Sequence, residues 1–431
     1  MAARKTRSPP LQAVNDVRFI ESTLSARNAV NNFPPVTSDP AISRATSRLD
    51  SIDLLRGLVM VLMALDHTRD FFHNGIHQDI DPLNEATGSI TLFFTRWITH
   101  FCAPVFIFLA GTGAFLSSTR GKSKRDLSWF LFTRGLWLVL LELTWIHWAG
   151  WSFAINLREH WGIVIWAIGW SMVALAALVH LPTIAITSFG VALIVLHNAF
   201  DALKPEAFGA LGWLWQVLHA GGTFQIPGGI TFGAGYPLIP WIGVMAIGYS
   251  FGTVMLREPA ARQRWLLRVG LNLTVIFFLL RFTNLYGDAQ PWTSQPTGFR
   301  TVLSMLDCTK YPPSLCYLLM TLGPAAVVLA LLDRATPRFL EPLLVIGRVP
   351  LFYYLLHLPL IHGLAVAVSF LRHNRADWLY GITPAKAPLD AGFDLVWVYL
   401  AWLVVLVVLY PACHWFADLK RRRRERWLSY L

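Results

Sequence analysis

The sequence predicts an all-α integral membrane protein with about ten transmembrane helices and with both termini in the cytoplasm. Of its 431 residues, 55% are hydrophobic and only 14% are charged, and the mean hydropathy is +0.49. In a typical soluble domain, about a quarter of the residues are charged. Several windows of roughly 20 residues contain few charges, which is the length that crosses a hydrocarbon core of about 30 Å.

Three regions differ in composition. Residues 1–48 are polar, rich in Arg, Ser and Pro, and lack the apolar segment of a signal peptide. We expect them to form a disordered arm. Residues 49–418 would form the polytopic domain. Residues 419–431 are a basic tail, which we expect to lie in the cytoplasm against anionic lipid.

Apolar runs within the polytopic domain mark the expected spans. The ninth run is long, so we expect it to be tilted, or broken near Pro350 or Pro359. The ten spans are predicted at 52–72, 98–117, 128–149, 161–180, 182–200, 237–256, 266–286, 314–333, 343–370 and 395–417.

The distribution of Lys and Arg predicts the orientation. With the N-terminus inside, the basic segments 120–126, 257–264, 333–338 and 420–426 all fall on the inner side, as the positive-inside rule requires. The net charge of +11 is therefore interpreted as a topology signal, and we expect no nucleic acid as a partner. The expected location is the plasma (inner) membrane as a multi-pass protein in contact with the bilayer, and an oligomer is compatible with the sequence.

One outer loop, residues 201–236, is apolar and aromatic but is broken by glycine. We expect it to lie along the interface or to fold back into the protein, because irregular backbone cannot face lipid.

The first span carries an unusual number of ionisable residues. Asp53, Arg56, Met60, Met63 and His67 fall on one helical stripe, because a helix turns about 100° per residue. An ionisable residue deep in a span costs about 2.5–3.5 kcal/mol on insertion scales, which makes the stripe a candidate site. The alternatives are that Arg56 snorkels to lipid phosphate and that His67 marks the outer interface.

Other polar residues of the spans are further candidates. Asp70 lies one turn beyond His67, where its carboxylate could orient the imidazole. Tyr354 and His357 share part of a helix face in the ninth span, although His357 is equally consistent with a buried histidine that only packs. Zinc needs three or four ligands at compatible spacing, and neither the histidines nor the four cysteines show it. No metal is therefore expected.

Five segments of the sequence carry a family resemblance. "RLDSIDLLRGLVMVLMALDH" (48–67) and "FCAPVFIFLAGTGAFLSS" (101–118) resemble the opening of bacterial membrane proteins with a heparan-α-glucosaminide N-acetyltransferase-type catalytic domain. These belong to a wider group of transmembrane acyltransferases, whose first span carries Arg-Gly and often a His eleven residues after the Arg; Arg56, Gly57 and His67 match that pattern. Similar blocks are "YPLIPWIGVMAIGYSFG" (236–252), "KYPPSLCYLLMTLGP" (310–324) and "GRVPLFYYLLHLPLIH" (347–362).

The resemblance implies an enzyme that moves an acetyl or related acyl group from cytoplasmic acyl-CoA to a sugar hydroxyl or amine on the extracytoplasmic side. The animal enzyme has Asn where this chain has His67, and its proposed active histidine lies in the loop that follows, where this chain has His73 and His77. A covalent acyl-histidine is an alternative to general-base catalysis. The resulting hypothesis assigns His67, Asp70 and His73 to catalysis, Arg56 and Arg348 to acyl-CoA, and Lys310, Tyr354, His357 and His100 to substrate.

Two other classes of function fit the composition. A secondary transporter or exporter would also have many spans and intramembrane charges, but transporters often show internal repeats, and this sequence shows none. A non-catalytic partner in an envelope biosynthetic complex is the third class. A measurement of acyl-CoA binding would distinguish the enzyme from the transporter and from the non-catalytic partner.

Overall fold

The computed structural model describes residues 49–74, 89–333, 337–381, 387–388, 390–423 and 425–431. The predicted N-terminal arm, residues 1–48, and His77 lie outside the described residues.

Helices dominate the described part of the chain. The first half contains α1 (Asp50–Phe72), α2 (Ile90–Thr99), α3 (Cys102–Ser118), α4 (Lys124–Leu141), α5 (Val164–Leu178), α6 (Thr183–Leu196) and α7 (Gly212–Trp215). The second half contains α8 (Leu238–Met255), α9 (Pro259–Thr283), α10 (Gly298–Leu306), α11 (Leu315–Leu332), α12 (Glu341–Arg348), α13 (Pro350–His373) and α14 (Leu395–Arg422). A π-helical segment, Glu142–Ser152, continues α4, and a second one follows α7 at Gln216–Ala220. Short 3-10 segments lie at His197–Phe200, Pro205–Leu211, Arg338–Leu340, Asp377–Leu379 and Arg426–Ser429.

The prediction of an all-α membrane protein is confirmed. Every predicted span overlaps a described helix, and 8 helical segments of the described chain are long and apolar enough to cross a membrane. Helix α1 is outside that group, since charged residues lie at both of its ends, and α5 is shorter, with 15 residues. The number of crossings and the side of each terminus stay predictions.

Proline sets two helix boundaries. Helix α9 begins at Pro259, seven residues before the predicted start, because proline is well suited to the first turn of a helix. The long ninth run is broken between α12 and α13 at Val349, directly before Pro350. This agrees with the bias of a residue before proline against helical backbone angles. Pro359 lies inside α13.

A small sheet was not predicted. Its strands are β1 (Glu159–Gly162), β2 (Gly222–Ile226) and β3 (Ile230–Ala234), in the order β1-β3-β2. Strands β2 and β3 form an antiparallel hairpin, and β1 pairs with β3 in parallel. Gly228 and Gly229 form its turn with φ of +97° and +75°, angles that glycine adopts without a steric penalty. The glycine-rich loop therefore folds back onto the protein.

Helix α1 and helix α12 are in backbone contact through two glycines. A Cβ atom at Gly57 would overlap the carbonyl oxygen of Leu343, and one at Gly347 would overlap the carbonyl oxygen of Asp53. Gly111 of α3 and Gly248 of α8 make a similar contact. Within a bilayer, helices associate through close packing of small residues rather than through the hydrophobic effect. The Arg-Gly pair of the first span therefore places Arg56 directly at the α1–α12 crossing.

We expect Gly57→Ala to destabilise the protein by about 1–3 kcal/mol, because the new methyl group overpacks the crossing. The midpoint of thermal unfolding, followed by tryptophan fluorescence of the protein in detergent, should fall. Gly298→Ala is the matched control, since a Cβ atom there meets no atom within 4 Å. Equal midpoints for the two variants would show that the crossing tolerates a methyl group.

Candidate active site

A cavity of about 540 Å³ lies at the His67 end of α1. We call it the histidine cavity. Its wall combines α1, α2, α3 and the start of α5 with the segment that precedes α11. Its polar and aromatic lining includes Asp66, His67, Arg69, Asp70, Arg96, Trp97, Thr99, His100, Trp151, Tyr236, Gln290, Asp307, Thr309, Lys310, Tyr311 and Tyr354.

His67 is held on three sides. Its Nδ1 lies 3.4 Å from Oδ2 of Asp70, and its ring meets Trp151 edge-on at 5.0 Å between centroids. The ring of His357 lies 5.3 Å away. An ionised carboxylate only accepts hydrogen bonds, so Nδ1 is the donor to Asp70, and in the neutral form of the ring this leaves the lone pair on Nε2.

His357 lies behind His67 and is fully buried. Its Nδ1 donates to the carbonyl oxygen of Tyr354 at 2.7 Å, because a carbonyl can only accept. The Tyr353 ring stacks on its other side at 5.5 Å. His357 therefore supports the position of His67, whereas Tyr354 itself lines the histidine cavity.

Opposite charges are paired along this wall. Arg69 contacts Asp66 at 3.0 Å and Asp70 at 2.6 Å, and Thr99 donates to Asp66 at 2.9 Å. Lys310 approaches Asp66 at 3.9 Å. Burial disfavours the charged ammonium of Lys310, but Tyr311 and Asp66 outweigh this effect and raise its pKa above the ordinary value. Lys310 is therefore a cation at neutral pH.

The segment 287–314, which we call the outer strap, brings six residues to the cavity. Arg281, at the end of α9, organises this segment through hydrogen bonds to the carbonyl oxygens of Gln290 at 2.7 Å and Asp307 at 2.6 Å. It also binds the carbonyl oxygens of Ser304 and Met305. The residues that the strap contributes are Gln290, Asp307, Cys308, Thr309, Lys310 and Tyr311.

Asp288 completes the support of the outer strap. Its carboxylate lies 3.6 Å from Arg281. It accepts hydrogen bonds from the hydroxyls of Thr309 at 2.6 Å and Ser314 at 2.8 Å. The charge of Asp288 is thus used to fold the strap, and it does not face the cavity.

Glu142 has a structural role at the start of α5. Its Oε2 accepts hydrogen bonds from the backbone N–H groups of Ile165 at 2.8 Å and Trp166 at 3.1 Å. The first N–H groups of a helix have no partner within the helix, so a buried carboxylate can satisfy them. The π-helical segment begins at this residue and places Trp151 beside His67.

A second cavity, of about 340 Å³, lies at the Arg56 end of α1. We call it the basic cavity. The Gly57–Gly347 crossing places Arg56 and Arg348 on the same wall. Five cations from four helices and one loop line it: Arg56, Lys122, Arg134, Arg348 and Lys420.

The two cavities share part of their lining. Phe106 of α3 and Ile165 of α5 border both. Arg56 and His67 are eleven residues apart in α1, which corresponds to about 16 Å at 1.5 Å per residue. A flexible chain lying along α1 would therefore have one end among cations and the other beside His67.

Most of the predicted site residues meet at these two cavities. His67, Asp70, His100, Lys310 and Tyr354 line the histidine cavity. Arg56 and Arg348 line the basic cavity, where Arg56 lies 3.0 Å from Asp53 and Arg348 lies 3.2 Å from Asp50.

His73 is not brought to the lining of either cavity. It follows the last turn of α1, and its backbone bridges to Phe393. Burial and the nearby Arg69 lower the pKa of its imidazole. His73 is therefore held at the end of the helix by backbone pairing, and its role in catalysis stays a prediction.

Several lining residues were missed from the sequence. Arg134 is an arginine inside a predicted span. The free-energy cost of placing a charged side chain in the membrane could have identified it as a candidate. Asp66 and Arg69 lie next to predicted residues. Gln290 and Asp307 gave no comparable signal, since their position depends on how the outer strap folds. No group of three or more His, Cys, Asp or Glu residues in the described ranges is placed to hold a metal ion.

The apolar helices define a multi-pass integral membrane protein, and the family match assigns it to the transmembrane acetyltransferase type. The family model described as "heparan-alpha-glucosaminide N-acetyltransferase, catalytic" matches residues 48–282, more than half of the chain, and the protein belongs to that family. A comparison with curated proteins gave no significant match. The matched region runs from the start of α1 into the last turn of α9 and ends before the outer strap.

We expect Arg281→Met to loosen the outer strap. Several carbonyl groups would lose a charged donor, and hydrogen bonds to charged groups contribute about 1.5–3 kcal/mol each. Amide hydrogen exchange across residues 287–311 should therefore become about 10- to 100-fold faster.

Arg268→Met is the control for this exchange measurement, because Arg268 lies on the same helix and is exposed. Unchanged exchange in the Arg281→Met protein would mean that Asp288 alone maintains the strap.

Proposed function

We propose that the protein transfers an acetyl or related acyl group from cytoplasmic acyl-CoA to a hydroxyl or amine on the extracytoplasmic side of the plasma (inner) membrane. The observation that carries this proposal is the pairing of a basic cavity with a histidine cavity at opposite ends of α1, with Phe106 and Ile165 common to both. The family to which the chain belongs supports the transferase class.

The basic cavity suits the phosphates of CoA. Five cationic side chains line a space of about 340 Å³, and arginine guanidinium groups bind phosphate through paired, charge-assisted hydrogen bonds. The positive-inside rule supports a cytoplasmic position for this cavity, since Lys122 and Lys420 belong to two of the basic segments. The pantetheine arm would then extend past Phe106 and Ile165 and present the thioester to the histidine cavity.

His67 is the proposed general base. Asp70 orients the ring through Nδ1, so that Nε2 can take the proton from the acceptor as the acceptor attacks the thioester carbonyl carbon. The carbon–sulfur bond then breaks, and the imidazolium returns the proton to the thiolate. His357 positions His67, while His100, Lys310 and Tyr354 contact the acceptor side of the cavity.

His67→Ala should lower transfer of labelled acetyl from acetyl-CoA by about 10²–10⁴-fold, because that is the usual contribution of a general base. The assay uses purified full-length protein in liposomes, with donor and glycan acceptor on opposite sides. His180→Ala, an exposed histidine outside both cavities, should keep the wild-type rate.

A wild-type protein that neither binds nor cleaves acetyl-CoA would overturn the transferase proposal and favour transport. Full activity in the His67→Ala protein, with loss of activity in His73→Ala, would move the base to the end of α1.

Arg134→Ala should weaken CoA binding by about 10- to 100-fold, since a hydrogen bond to a charged group contributes about 1.5–3 kcal/mol. Isothermal titration of the detergent-solubilised protein measures this change. Pantetheine, which lacks the nucleotide phosphates, should bind the wild type and the variant equally well. Arg125→Ala, an exposed position near the start of the same helix, is the control, and an equal loss there would falsify a specific phosphate site at Arg134.

A further inference from the structure

The histidine cavity is balanced in charge. Its described lining contains three carboxylates and three non-histidine cations. Asp66 and Asp70 both contact Arg69, and Asp66 also faces Lys310. The third carboxylate, Asp307, interacts electrostatically with Arg96. Each described carboxylate of the wall thus already has a cationic partner.

This balance affects which acceptors can bind. A sugar amine carries a positive charge when it is protonated, and a buried charge is costly unless an opposite charge compensates it. The described wall offers such an ammonium group only carboxylates that are already paired. An uncharged acceptor meets no such cost.

The wall also has groups that bind uncharged polar molecules. Gln290 is an exposed residue of the cavity lining, and its side-chain amide makes no hydrogen bond to the rest of the described chain. The rings of Tyr236 and Tyr311 lie 5.1 Å apart at the same wall. Polar groups of this kind, set among aromatic faces, are typical of a small-molecule site, and a volume of about 540 Å³ accommodates a sugar unit.

Building on the proposed transferase function, we propose that the acceptor nucleophile is a hydroxyl of an uncharged sugar or polyol, so that the product is an ester, and that Gln290 helps to select this acceptor. Nε2 of His67 takes the hydroxyl proton, the acceptor oxygen bonds to the acyl carbon, and the carbon–sulfur bond breaks. The proton then passes to the sulfur, which leaves as the free thiol of CoA. An alcohol is a poor nucleophile until a base accepts its proton, which is the role that the His67–Asp70 pair is arranged to perform.

The test compares two acceptors in proteoliposomes loaded with labelled acetyl-CoA. Methyl glucoside serves as the neutral probe and glucosamine as the amine probe, at equal concentration on the opposite side. Hydroxylamine treatment releases acetyl esters and leaves acetyl amides intact. We expect label on methyl glucoside that hydroxylamine removes, and at least tenfold less amide formed on glucosamine.

Amide as the main product would overturn this inference and leave the transferase function standing. If there is no transfer to either probe and no His67-dependent release of CoA thiol, the proposed function itself fails.

Gln290→Ala provides a second readout. The KM for methyl glucoside should rise about three- to tenfold, as expected for the loss of one or two neutral hydrogen bonds, while CoA binding is unchanged. Gln295→Ala, in the same strap but away from the cavity lining, should alter neither value. An unchanged KM in the Gln290→Ala protein would remove Gln290 from acceptor selection.

Discussion

The contact between the backbones of α1 and α12 is the constraint on which the rest of the site depends. Gly57 and Gly347 each face a carbonyl oxygen of the opposite helix, at a separation that leaves no room for a side chain. Because lipid competes for every apolar surface within a bilayer, such a close approach is one of the main means of fixing two helices. This contact places Arg56 beside Arg348 and determines how α1 is rotated. The rotation in turn directs Met63 and His67 into the protein.

Helix α1 can therefore serve two different cavities. One stripe of a single rigid helix carries Arg56 at one end and His67 at the other, so their separation of about 16 Å follows from helix geometry. No hinge or loop lies between the two residues. Loops are the more mobile parts of most proteins, and a site built on one helix holds its two ends in a fixed relation.

The sequence alone was sufficient to predict the stripe that contains Arg56 and His67, but it could not predict which residues of other helices surround it. The period of a helix relates Arg56 to His67 without any tertiary information, and the cost of charges in a span identifies them as candidates. Lys420 joins the basic cavity because α14 packs against α1, and Arg134 joins it because α4 packs against α5 and α3. Their convergence depends on helix packing, which local patterns do not encode. The same holds for His357, whose place behind His67 depends on how α13 packs against α1.

Irregular backbone segments account for the remaining differences between the predicted and the observed structure. The outer strap is held by one buried arginine that binds carbonyl groups of four residues between Gln290 and Asp307. Such contacts depend on backbone positions rather than on side-chain identity, so they leave no pattern in the sequence. The β2–β3 hairpin did leave a signal in Gly228 and Gly229, but its apolar residues were equally compatible with a segment lying in the interface. The π-helical segment after α4 left no signal that propensity captures.

The two cavities differ in charge in the way that the proposed transfer across the membrane requires. An anionic donor is attracted to a wall on which five cations gather, and this attraction is strong because the surroundings have a low dielectric constant. The same excess of charge at the other end would bind the donor phosphates there as well and would remove the preference for one orientation. A wall in which Arg69 and Lys310 are matched by carboxylates avoids this competition. The charge balance of the histidine cavity thus serves the direction of the proposed reaction as well as the choice of acceptor.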